Sequence, residues 1–283
     1  MTSENVKQPS PKKKRGEMIA VCSAKGGVGR TVLTVNLAIS LFKKNIGVSI
    51  LDGDLQFGDI GLAMDLQSTF TIKDVMEEIA QLDEHTLISY LCKHDSGVRV
   101  LPAPDRPEFA ELVTKEAIQK VIDLLLQEFS YLVVDTGVGL GEQTIELLEK
   151  ADQILVVTNL EMATLKNTKL MLETLELLGI RDKVQIVINR STMESVIGAS
   201  DVPDILGIED PIFIPNDFGV ASQSLNVGIP FVINQGKTEI AKSIFKMAEQ
   251  LTSRRDISYI KSKNPSVLSK LLSFKRTKEG TGE

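Results

Sequence analysis

Three short stretches of the sequence hold side chains that could do chemistry. The first, CSAKGGVGRT (residues 22–31), sets three glycines (Gly26, Gly27 and Gly29), two cations (Lys25 and Arg30) and a hydroxyl (Thr31) in one run. Glycines at this spacing let the backbone curl until successive N–H groups point at one oxyanion. The run follows an apolar, strand-like segment and opens a helical pattern, whose N-terminus adds positive potential. The backbone of Gly26, Gly27, Val28, Gly29, Arg30, Thr31 and Val32 is therefore a candidate phosphate cradle, and the Thr31 hydroxyl can reach a Mg2+ ion. The second stretch, ILDGDLQFGDIG (50–61), places Asp52 and Asp54 two residues apart on extended chain. That spacing turns both carboxylates to one side, which suits a shared metal–water cluster. The third, YLVVDTGVGLG (131–141), ends an apolar run with Asp135. A lone aspartate after an apolar run is more often a helix cap than a metal ligand; what distinguishes Asp54 and Asp135 is the company of the glycine loop.

The elements that must position these residues alternate in type. Short β-branched runs recur at 18–23, 47–52, 98–103, 131–136, 153–159, 184–189 and 211–215. Most are apolar throughout, as in strands of a parallel sheet covered on both faces. Helical patterns lie between them. KEAIQKVIDLLLQEF (115–129) puts Ile118, Val121, Ile122, Leu125 and Phe129 on one stripe, and TLKNTKLMLETLELLG (164–179) stops at Gly179, a good terminator. Strand alternating with helix predicts an α/β fold: a mostly parallel twisted sheet of about seven strands with helices on both faces. One domain spans residues 18–253, with basic tails at 1–17 and 254–283. Every candidate motif then falls at the C-terminal end of a strand, the edge where open α/β sheets bind ligands.

Bulk properties narrow the function further. The chain has 283 residues, 42% of them hydrophobic and 25% charged, an ordinary globular balance. The net charge of −6 conceals tails of +3 and +5, which leave residues 18–253 at −14. So acidic a body argues against DNA as a partner. No apolar run approaches the roughly 18 residues needed to cross a membrane, and the N-terminus shows no apolar signal region. The two cysteines, Cys22 and Cys92, form no spacing motif. A cytoplasmic setting is expected. Near the C-terminus, NPSVLSKLLSFKRTK alternates apolar and cationic residues, and 266–276 could lie as a basic amphipathic helix on the inner face of the cell membrane.

Taken as a set, the motifs resemble those of the MinD/ParA family of P-loop ATPases over residues 18–253. KGGVGRT resembles that family's deviant Walker A motif, KGGxGK[ST]. The resemblance implies a P-loop NTPase-like fold, ATP and Mg2+ as cofactors, and a homodimer closed by ATP. It also assigns roles. Lys25 would reach the partner chain's phosphates, and Arg30 stands where a lysine holds the β and γ phosphates. Asp52 and Asp54 match the switch I carboxylates, Asp54 being the one that positions the attacking water. Asp135 matches the Walker B residue that holds Mg2+ through water, with Thr31 and Asp52 completing the metal set. Asn189, at the end of IVINR (186–190), matches an adenine-reading amide. Pro215, Asn216 and Asp217, in IPNDFGVASQSLNVGIP (214–230), match the segment beside the base.

The departures from the pattern are informative. Ala24 fills the first glycine slot, Arg30 replaces the lysine, and Gly137 and Val138 stand where the family often has prolines, which predicts a more mobile loop. DLQFGD (54–59) resembles the CpaE/TadZ branch, which helps localise pilus assembly machinery, although the receiver-like domain that many of its members carry has no counterpart ahead of residue 18. A guanidinium is wide and planar where an ammonium is compact, and losing one well-placed transition-state donor typically costs about 10²–10³ in rate. The expectation is an ATP-binding, dimerising switch with slow or negligible hydrolysis that positions a pilus or secretion machine. The alternatives are a nucleotide-independent scaffold and a MinD-like ATPase that positions division or flagellar machinery.

Overall fold

The computed structural model describes residues 15–263, and side chains as far as residue 253. The tail segment 266–276 lies outside the described residues. Eight strands form one sheet: β1 (Glu17–Ser23), β2 (Val48–Gly53), β3 (Cys92–Lys93), β4 (Arg99–Leu101), β5 (Tyr131–Val138), β6 (Gln153–Thr158), β7 (Val184–Ile188) and β8 (Ile212–Phe213). Their order is β3-β4-β2-β5-β1-β6-β7-β8. All neighbours pair in parallel except β3 with β4.

Strand β1 shows why the sheet is buried on both sides. Met18, Ala20 and Cys22 point into one apolar cluster, while Ile19 and Val21 point into another on the opposite face. A strand with no polar face can satisfy its side chains only between two helical layers. The connecting helices are α1 (Arg30–Leu41), α2 (Ile60–Ala63), α3 (Ile72–Glu77), α4 (Glu84–Tyr90), α5 (Lys115–Glu128), α6 (Glu142–Lys150), α7 (Met162–Leu177), α8 (Val202–Leu206), α9 (Phe218–Val227), α10 (Phe231–Asn234) and α11 (Glu239–Lys263). Helices α5, α6 and α7 cover the face of Met18 and Ala20 through Val121, Leu125, Leu148, Leu165 and Leu172. Helices α1 and α11 cover the other through Leu33, Leu37, Ile244, Met247 and Leu251. Asn36 ties this second layer together: its amide donates to the Val32 carbonyl (2.8 Å) and accepts from the Val232 N–H (3.1 Å).

The seven expected strands are all present, β8 as only two residues. The eighth, β3, pairs Cys92 with Val100 and Lys93 with Arg99. A two-residue strand carries no periodicity, so the sequence pattern could not reveal it. Helix α11 runs past residue 253, where the sequence reading placed the end of the domain. None of the described helices is long and apolar enough to cross a membrane.

Candidate functional site

Strand β1 ends at Ser23 and α1 begins at Arg30; the glycine run makes the turn between them. Gly27 has φ of +75° and Gly29 of +93°, the left-handed region that other residues adopt only with strain. Gly29 is also the α1 N-cap and brings no capping side chain, so no side chain caps the N–H groups of the first turn. A Cβ at Gly29 would stand 2.4 Å from Asn189 Nδ2, so the position is closed to a side chain on two counts.

The loop is braced from β7. Asn189 Nδ2 donates to the Val28 carbonyl (2.8 Å), and its Oδ1 accepts from the Arg190 N–H (2.9 Å). Arg190, with φ of +53°, donates from Nη2 to the Gly27 carbonyl (3.2 Å). Ser23 Oγ donates to the Lys25 carbonyl (2.9 Å). The Lys25 side chain itself is exposed.

A pocket of about 360 Å³ opens beside this loop, in the size range of small-molecule sites. Gly26, Gly27, Gly29, Arg30, Thr31 and Val32 form one wall; Asn189, Pro215, Asn216 and Asp217 form another. The structure thus gathers ten of the expected cofactor-binding residues around one space. The remaining member, Val28, is buried and contributes its carbonyl to the Asn189 brace. Asp217 caps α9, accepting from the Val220 N–H at 3.1 Å.

Arg30 is the centre of the charged cluster. Its side chain is 9% exposed, and its Nε donates to Asp135 Oδ1 at 2.7 Å while Nη2 donates to Asp54 Oδ2 at 2.8 Å. Thr31 Oγ1 donates to the other Asp135 oxygen at 2.6 Å. Thr34, one helical turn after Arg30, donates to the Arg30 carbonyl (3.0 Å) and lies 3.4 Å from Asp135 Oδ1. Asp135 is fully buried on β5, in register with Asp52 on β2. Asp52 is turned away from Arg30: Oδ2 accepts from the Ile60 N–H (3.1 Å) and Oδ1 from the Asp54 N–H (3.3 Å). Asp52 and Asp54 therefore serve different partners and do not form the shared cluster expected from their spacing.

The protonation equilibria follow the same geometry. Burial pushes Asp52 well above the usual carboxylate range, helped by the negative charge of Asp135 and opposed by the two backbone N–H groups. Burial also pushes Asp135 up, against the pull of Arg30 and Thr31. For Arg30, burial disfavours the charge, but Asp135 and Asp54 outweigh it and hold the guanidinium protonated. Burial drives the Cys22 thiol up to about 12, with Arg30 pulling weakly the other way.

This arrangement does not fit a divalent ion at the expected set of Thr31, Asp52 and Asp135. Each Asp52 oxygen accepts a backbone N–H, and Arg30 pairs with Asp135 and Asp54, so a divalent ion would have to compete with these partners. None of the three aspartates lines the pocket. Among the described residues there is no group of three or more His, Cys, Asp or Glu side chains placed to hold a metal.

The fold and this loop agree with what similar proteins show. Residues 16–188 match the family described as AAA domain. The chain belongs to that family. Within it, the relatives are P-loop ATPases of the MinD/ParA type. The chain is 27% identical over 256 residues to an uncharacterized ATP-binding protein of Methanocaldococcus jannaschii, covering 90% of this chain and 94% of that one. It is 26% identical to the septum site-determining protein MinD of Thermotoga maritima, covering 83% and 88%. A ParA family ATPase from Chlorobium tepidum superposes with a TM-score of 0.78 over 84% of this chain and 99% of its own, at 22% identity, and shares the fold. As a MinD/ParA-type ATPase, this chain carries an arginine, Arg30, at the end of its glycine loop.

Several site residues escaped the sequence reading. Thr34 could have been found from its four-residue spacing to Arg30 on one helix. Arg190 adjoins Asn189, but nothing in the sequence says that its guanidinium returns to the loop. Phe218, which also lines the pocket, sits beside the expected Asp217. Gly137 and Val138, expected in a mobile loop, instead continue β5, with Val138 in register with Ser23.

Proposed function

We propose that this protein is an ATP-binding switch that closes into a homodimer, turns ATP over slowly or not at all, and positions a pilus or secretion machine. The observation that carries this reading is the pairing of Arg30 with Asp54 and Asp135 at the head of the phosphate loop. The left-handed turns at Gly27 and Gly29 support a phosphate cradle in this loop. The cation that would stabilise charge on the transferred phosphoryl group shares its donors with two carboxylates. Asp54, the residue that the resemblance assigns to water positioning, is held by the same cation. Affinity is thereby kept and hydrolysis slowed or lost, a combination that suits a switch reset by nucleotide release.

The dimer has support of its own. Lys25 is exposed beside the loop. Phe57, Val138, Met162 and Phe218 are each at least half exposed, and all stand at or after the C-terminal ends of parallel strands, on the pocket side of the sheet. Apolar side chains gathered around a ligand site mark a surface that another chain can cover. The pilus assignment draws on the likeness of DLQFGD, TFTIKDVM, VRVLPAPDRPEFAELVT and LEMATLKNTKLMLETLELLG to the CpaE/TadZ branch, with Arg30 as a further departure of that kind. A septum-placing role is the second reading, favoured by the MinD of T. maritima, which aligns over most of its length. Residues 266–276 would give either machine a peripheral membrane contact.

Calorimetry with ATP, alongside solution mass with and without ATP, tests the switch on wild type and Lys25→Ala. Micromolar binding and an ATP-driven dimer that Lys25→Ala abolishes are expected. Arg30→Lys should raise turnover clearly. No binding and an unchanging mass would leave a scaffold with a retired site.

A further inference from the structure

We propose that the Arg30 guanidinium takes the place of a divalent cation in this site, so that the nucleotide binds without metal. The inference rests on the reading that the pocket takes a nucleotide, and goes beyond it to what neutralises the phosphates.

The geometry is specific. A guanidinium carries five N–H donors in a rigid fork. Arg30 spends one edge of that fork on carboxylates: Nε on Asp135 and Nη2 on Asp54. Three N–H donors remain, two on Nη1 and one on Nη2, and none has a partner among the described residues. Arg30 is at the same time part of the pocket wall that includes Gly27 and Thr31. The residue therefore stands between the carboxylates behind it and the phosphate position in front, with its free edge available to phosphate oxygens. Paired N–H donors match two oxygens of a phosphate group well. That is the bridging position between acidic side chains and polyphosphate.

The anionic partners are already matched to this cation. Asp135 and Asp54 share the guanidinium, and Thr31 fills the remaining Asp135 oxygen at 2.6 Å. Asp52 is withdrawn onto the amides of Asp54 and Ile60. A second, doubly charged cation on these oxygens would sit against the guanidinium, and Asp59, exposed on the pocket wall, takes no part in that pairing. Lysine at this position has no fork: its ammonium gathers three donors on one nitrogen and spans a shorter distance between carboxylates and phosphate than the guanidinium does.

The test is the metal dependence of binding, read without turnover. ADP is titrated by calorimetry into the full chain in excess Mg2+ and again in excess EDTA, for wild type, Arg30→Lys and Arg30→Ala, with thermal melts confirming that each variant is folded. Wild type should change affinity by less than about threefold between the two conditions, while Arg30→Lys loses more than about tenfold in EDTA. Arg30→Ala should behave as Arg30→Lys, with weaker binding throughout. A wild-type affinity that falls more than about tenfold in EDTA would overturn the inference while leaving the nucleotide reading standing. Metal-independent binding by both variants would also overturn it, since Arg30 would then not be the cause. No ADP binding under either condition would remove the nucleotide reading and the inference together.

Discussion

Replacing Arg30 with methionine keeps most of the side-chain volume and removes the charge. The structure fixes what this should cost. At 2.7 Å from Asp135 and an effective dielectric of about 20, the gross attraction is about 6 kcal/mol. Desolvation of the two ions, several kcal/mol each, consumes much of that gain, so the pair adds little net stability compared with apolar residues of equal size. Removing one partner alone is different. Asp135 is fully buried, and an abandoned buried charge costs about 3–5 kcal/mol. For a domain of this size that corresponds to a fall in Tm of about 6–20 °C. The cost should depend on pH. Burial raises Asp135, and Arg30 is the chief opposing influence; without Arg30 the folded-state pKa rises further above the unfolded value. The folded variant then binds more protons than the unfolded chain, so its stability falls as pH rises between those two values. Urea denaturation of wild type and Arg30→Met at pH 5 and pH 8 measures both effects, and the deficit should be larger at pH 8. Pairing Arg30→Met with Asp135→Asn should recover part of the loss, because the uncompensated charge is gone. A loss below about 1 kcal/mol, or one equal at both pH values, would refute the claim that Arg30 neutralises a buried carboxylate.

Other perturbations read other parts of the structure. Gly29→Ala forces a Cβ against Asn189 at a left-handed φ; it should cost about 1–3 kcal/mol in urea melts and weaken nucleotide binding, and a neutral outcome would mean the loop has a second conformation. Asn36→Leu leaves the buried Val232 N–H without its acceptor and should cost about 1–3 kcal/mol by the same measurement. Cys22 is fully buried, with its thiol driven up to about 12, so a thiol reagent should label Cys92 alone in the native protein and both cysteines in urea. Raising the pH from 7 to 9 should leave native Cys22 unlabelled; rapid labelling there would show that the strand β1 environment opens.

How far the sequence speaks can be judged from single residues. Ile19 and Val21 alternate with Met18, Ala20 and Cys22 in an unbroken apolar run, and a run without a polar face already requires two helical layers. Gly27 and Gly29 announce the turn between β1 and α1, because few other residues could make it. Asp135 is legible as a strand-end carboxylate beside a glycine loop. The destination of the Arg30 side chain is not legible. Its partners are 24 and 105 residues away in the chain, and only the order of β1, β2 and β5 in the sheet brings them within reach. Asp52 illustrates the same limit. Spacing places it on the same side as Asp54, but the loop that folds back through Ile60 decides that its carboxylate is spent on amides. The two-residue strand β3 and the returning guanidinium of Arg190 are also products of tertiary packing and leave no mark in local pattern.

Helix α11 gives the nucleotide pocket mechanical reach. Ile240, in its first turn, is part of the pocket wall, and the helix continues unbroken to Lys263. Its 25 residues at 1.5 Å each make a rod of about 37 Å, longer than the hydrocarbon thickness of a bilayer. A tilt of a few degrees at the Ile240 end would become a displacement of about 2–3 Å at the far end by lever arithmetic alone. One stiff element thus joins the pocket wall to a point about 37 Å away without crossing the sheet.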